Sequence, residues 1–157
     1  LSKRGGTTEP TGRSALSGER KYNNLLSPFR FTLRAHPLPM EVQIFGVQKN
    51  PAVRKAIRFF SERRIKTHFV DLRERAASRG ELQRFVQKFG IGALIDKSCG
   101  RYAELGLGVV RYDDVRWLET LENEPLVLVM PLVRWQHKLT IGLAEREWET
   151  WVKEAKS

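Results

Sequence analysis

Val42-Gln43-Ile44-Phe45-Gly46-Val47-Gln48-Lys49-Asn50-Pro51-Ala52-Val53 is the stretch whose reading decides the fold. Its first six residues are a β-rich run. Asn50-Pro51 then supplies a helix start in its preferred order, asparagine as N-cap and proline at the first helical position. Through Pro51 to Arg64 the apolar residues Val53, Ile57 and Phe60, with Ala56 beside them, recur at helical spacing. Arg54, Lys55, Arg58, Arg63 and Arg64 occupy the rest, which predicts an amphipathic helix with a basic outer face. Thr67 to Leu72 reads as a second strand. Two strands joined by one helix make a parallel βαβ unit with a right-handed crossover.

Downstream, Ser78-Arg79-Gly80-Glu81 has the capping-box form, and Leu82, Phe85, Val86 and Phe89 give the next helix its apolar face before Gly90 ends it. Shorter helical pieces are expected around Tyr102 to Leu105 and from Asp113 through Leu121. Leu126 to Met130 reads as a fully buried strand, interrupted by Pro131. Leu132 to Trp135 and Lys138 to Ile141 form a hairpin across Gln136-His137. Ala144 to Lys156 closes the chain as a helix with Trp148, Trp151 and Val152 on its core face, leaving Trp117 and Trp135 as the surface aromatics. The predicted class is α/β with the order βαβ, several helices, ββα. That is a thioredoxin-like order with a helical insertion between its two halves.

At 157 residues, 41% hydrophobic and 29% charged, the chain has room for one packed domain and is not of disordered composition. Its apolar runs are too short to cross a bilayer, so no membrane role is expected. The net charge of +10 divides unevenly: residues 1–39 carry seven basic and two acidic side chains, and residues 40–157 carry 21 and 16. The first segment, rich in Gly, Thr and Ser, reads as a disordered basic extension ahead of a domain spanning residues 40–157. It is expected to be sequence upstream of a natural start at Met40 rather than a native part of the protein. An organellar transit segment and a basic arm for an anionic partner are the alternatives. Nucleic acid is disfavoured as a partner of the domain, because no aromatic residues interleave with its basic ones. One cysteine, Cys99, and three scattered histidines give neither a disulfide nor a metal-ligand pattern, which suits a reducing, cytoplasmic setting.

Four segments in order carry a further reading: Ile44-Phe45-Gly46-Val47-Gln48-Lys49-Asn50, Tyr102-Ala103-Glu104-Leu105-Gly106-Leu107, Glu124 to Leu128 leading to Pro131-Leu132-Val133, and Thr140-Ile141-Gly142. Through them the chain from Met40 to about Val152 resembles the arsenate reductase family of thioredoxin-fold proteins, which includes the Spx-type regulators that bind RNA polymerase. The resemblance implies a nucleophilic cysteine where this chain has Asn50. It implies an arginine just before the strand proline, where Met130 stands, and another on or near Asp96. Pro131 takes the place of the family's cis-proline. An amide is no thiolate, and the simultaneous absence of nucleophile and both anion-holding arginines predicts a member without the reductase chemistry.

Three roles compete. Lys49, Arg54 and Arg134, with the helix N-terminal amides, are candidates to hold an oxyanion without turnover. Cys99, flanked by Lys97 and Arg101 in an expected exposed loop, is the only thiol available to a relocated oxidoreductase site. Glutathione or glutaredoxin would be its reductant, and no other cofactor is implied. A protein-binding role follows by analogy with the Spx-type branch, with RNA polymerase as the implied partner.

Overall fold

The computed structural model describes residues 39–157; apart from Pro39, the extension expected to be disordered lies outside the described residues. The elements follow in the order β1 (Glu41–Gly46), α1 (Pro51–Glu62), β2 (Lys66–Asp71), α2 (Arg79–Phe89), α3 (Ile91–Leu94), α4 (Gly100–Glu104), α5 (Asp114–Asn123), β3 (Leu132–Trp135), β4 (Lys138–Ile141) and α6 (Glu145–Lys156). The strands form one mixed sheet in the order β2-β1-β3-β4. β1 and β2 are parallel, β3 runs antiparallel to β1, and β4 antiparallel to β3. This is the α/β, thioredoxin-like arrangement with the helical insertion that the sequence predicts.

Helix boundaries are fixed by local chemistry. The Ser78 hydroxyl accepts from the Glu81 amide at 3.3 Å while the Glu81 carboxylate accepts from the Ser78 amide at 2.8 Å, completing the capping box at the start of α2. Gly90, at φ 85°, turns the chain out of that helix. Asp113 caps α5 through the Arg116 amide at 2.8 Å. The short α3 between Gly90 and Ile95 carries too little periodicity to be read from sequence.

Alternation along the strands divides the core into two layers. Val42, Ile44, Val133 and Trp135 face α1 and α6, where they meet Phe59, Phe60, Trp148 and Trp151. Phe45, Val70, Leu132 and Leu139 face the other way, toward Leu82, Phe85, Leu118 and Leu121 of the insertion. A one-residue slip in any strand would exchange the two layers. Gly46 ends β1 where α1 passes closest: a Cβ there would lie 2.4 Å from Cγ2 of Val53, so no larger residue fits without displacement.

Two expectations change. Leu126 to Met130 is not a strand. Pro125 to Val127 is a 3-10 turn whose amide bonds are local, Val127 N to Glu124 O at 3.1 Å and Leu128 N to Pro125 O at 3.2 Å. Val127 and Leu128 are buried as expected, but the stretch pairs only through an isolated bridge from Leu128 to Ile95. Asp96 N to Val127 O and Val129 N to Leu94 O, both at 2.8 Å, satisfy its buried backbone instead of the sheet. Trp135 is not a surface aromatic: the β3 register turns it inward against Trp151, 8% exposed with ring centroids 6.1 Å apart. Trp117 is half-buried and edge-on to Tyr112.

Candidate functional site

The sheet delivers Asn50 to the junction of β1 and α1, the position where a thiolate would need the helix amides. The Asn50 carboxamide already uses them. Its Oδ1 accepts from the Ala52 amide at 2.8 Å and from the Val53 amide at 3.4 Å, and Pro51 has no N–H to offer. The turn before it is closed by Asn50 N donating to Val47 O at 2.9 Å. Lys49 and Arg54 flank the junction as exposed side chains. This end of the sheet is therefore a capped helix start beside two solvated cations.

The Met130–Pro131 peptide bond is cis, as the resemblance implies for Pro131. Pro131 is buried, and its carbonyl accepts from Gly142 N at 2.8 Å. Met130 is partly buried against the insertion-side core and brings no charge to the position. Asp96 turns its carboxylate on its own loop, where Oδ1 accepts from the Ser98 amide at 2.9 Å and hydroxyl at 2.6 Å.

Cys99 does not lie in an open loop. It is half-buried at the N-cap of α4, with Sγ accepting from Tyr102 N at 3.4 Å. The flanking Arg101 is committed elsewhere. Its Nε and Nη2 hold the two oxygens of Glu124 at 2.9 and 3.0 Å, and Nη1 lies 3.3 Å from Glu104. That fork holds the Glu124 carboxyl below the ordinary glutamate range, chiefly through the Arg101 hydrogen bonds. Among the described residues no group of three or more His, Cys, Asp or Glu could hold a metal ion, and no helix is long and apolar enough to cross a membrane.

Arg134 is not brought to Lys49 and Arg54. It pairs across the sheet with Gln43, three residues before Gly46, and shares the sheet face of Phe45 and Leu132, whereas α1 packs on the other face. There it meets side chains that sequence reasoning did not single out. Arg84 and Lys88 on α2 and His137 at the hairpin turn line, with Arg134 and Leu139, an open cavity of about 550 Å³. The only sequence signal for this grouping was the i, i+4 spacing of Arg84 and Lys88, because the hairpin's contribution depends on β3 register.

No protein-family model matches the sequence, and no curated protein matches it. Solved structures do share its fold. An arsenate reductase from Vibrio cholerae superposes with a TM-score of 0.62 at 21% identity, over 69% of this chain and 95% of that one. An arsenate reductase (ArsC) related protein from Brucella melitensis gives a TM-score of 0.56 at 21% identity, over 75% of this chain and 99% of that one. The YffB protein gives 0.64 at 14% identity, over 69% and 96%. The described residues thus have the thioredoxin-like fold of these proteins.

Proposed function

We propose that this chain is a thioredoxin-fold binding module of the arsenate reductase type that does not carry out thiol-dependent reduction. The observation that carries this reading is Asn50. Where reductase chemistry needs a sulfur nucleophile cradled by helix amides, a carboxamide with no ionisable proton occupies those amides itself. Met130 and Asp96, in the positions of the expected arginines, contribute no positive charge for an oxyanion. Cys99 does not replace the missing thiol: its sulfur is engaged with a backbone amide, and Arg101 is tied to two glutamates. A reducing, cytoplasmic setting suits a chain with one unpaired cysteine.

The test is reduction of arsenate and of a small disulfide by the full chain, with glutathione and glutaredoxin supplied. Parallel assays use Asn50→Cys and Cys99→Ser. The expected result is no turnover above the protein-free rate in either the native chain or Cys99→Ser. Turnover by the native chain that disappears in Cys99→Ser would overturn the reading and establish a relocated thiol enzyme. Gain of activity in Asn50→Cys would support the view that the junction geometry survives and only the nucleophile is missing.

A further inference from the structure

The sheet register places His68, Gln43, Arg134 and Leu139 in one row across all four strands. The next row, Val70, Phe45, Leu132 and Ile141, belongs to the core beneath the insertion. α2 closes over that second row and, in the first, over Leu139, which is 5% exposed, while Gln43, His68 and Arg134 keep contact with solvent. Its last turn reaches the edge strand, where Lys88 Nζ donates to Leu139 O at 2.9 Å. A cavity of about 550 Å³ remains between Arg84, Gln87 and Lys88 of α2 and Arg134, His137 and Leu139 of the hairpin. A second concavity of about 290 Å³, lined by Glu41, Val42, Gln43 and His68, adjoins it through Arg134 and Gln136; its one carboxylate, Glu41, is paired with Lys66.

The lining of the larger cavity holds three permanent cations and no carboxylate. None of the three pairs with a carboxylate among the described residues. Two of the three are held in position by backbone carbonyls. Arg134 Nε donates to Gln136 O at 3.0 Å, which fixes the guanidinium and leaves both terminal NH2 groups free to face one anion. Lys88 spends one donor on Leu139 O and keeps two. Anchored cations cost less ordering on binding than free ones, and like charges gathered in one concavity favour an anion there.

We propose that this cavity is a binding site for a small phosphorylated molecule. The phosphate sits between the Arg134 fork, Lys88 and Arg84, and the organic part lies against Gln87, His137 and Leu139. The volume is in the range of small-molecule sites, about 300–1,000 Å³, and exceeds what a bare phosphate fills. The site lies on the sheet face away from α1 and makes no use of Asn50. It stands whether or not the chain reduces thiols.

The experiment is a titration of the full 15N-labelled chain with adenosine monophosphate, pyrophosphate and hexaglutamate, followed by amide chemical shifts and calorimetry. The expected result is saturable binding of the two phosphates, with shifts centred on Gln87, Lys88, Gln136 and His137. Arg134→Gln and Arg84→Gln each weaken that binding about tenfold or more, while Lys55→Gln on α1 leaves it unchanged. Arg84 is exposed, so its variant keeps the fold and protects the test if Arg134→Gln disturbs the hairpin. Four results would overturn the proposal: no saturable binding of either phosphate, shifts centred on Lys49 to Val53, equal affinity in Arg84→Gln, or saturable binding of hexaglutamate alone. The last would reassign the cavity to an acidic peptide.

Discussion

Replacing Thr140 by valine removes one atom's worth of chemistry from the centre of the α1/α6 layer. Trp148 is fully buried and Thr140 is 1% exposed, and the indole Nε1–H donates to the Thr140 hydroxyl at 2.8 Å. The rings of Phe59 and Phe60 stand 5.5 and 5.3 Å from the indole and offer it no oxygen. Valine has nearly the same volume as threonine, so no cavity forms and the whole effect is the stranded N–H. Leaving a buried donor unpaired costs about 1–3 kcal/mol. For a domain of this size, that lowers the thermal midpoint by roughly 3–12 °C. The assay is urea unfolding followed by circular dichroism, with an unchanged denaturant slope expected because the same surface is exposed. In a Trp148→Phe background, which has no N–H to strand, Thr140→Val should be close to neutral. A cost below about 0.5 kcal/mol in the native background would refute the reasoning, as would an equal cost in both backgrounds.

Three further outcomes follow from single contacts. Asn50→Ala should lose about 0.5–2 kcal/mol of stability and Asn50→Asp much less, because only the former removes the acceptor for the Ala52 and Val53 amides; chemical denaturation of the two variants decides it. Gly46→Ala should destabilise by about 1–3 kcal/mol, since its methyl would enter the space held by the stiff Val53 side chain, and the thermal midpoint reads this directly. The Arg101 fork lowers the Glu124 pKa in the folded state, so its contribution is present above the unfolded glutamate pKa and is lost as pH falls through the folded value. Glu124→Gln should therefore flatten the acid limb of a stability-against-pH curve and leave the curve above neutral pH parallel to that of the native chain.

What could be read along the chain is what is settled within three or four residues. Asn50-Pro51, Ser78 with Glu81, and Asp113 place three helix starts because a cap bonds to amides two or three positions away. The β-rich run from Val42 to Val47, just ahead of Asn50-Pro51, marks β1 for a similar reason. The Asn50 substitution is equally visible, since the identity of a residue needs no fold. Tertiary structure decided everything that depends on register. Leu126 to Met130 has the composition of a strand, but its amides were taken by the carbonyls of Glu124 and Pro125 in the turn and by that of Leu94, a partner more than 30 residues away. Trp135 is apolar on either reading, and only the pairing of β3 with β1 and β4 turned it inward. Arg134 lies some 50 residues from Arg84 and Lys88 in sequence, and the same register parted it from Arg54 and joined it to them. Capping energies are local and so are written in short motifs. The meeting of distant charges is set by which neighbours a strand accepts, and that is determined only once the whole core has packed.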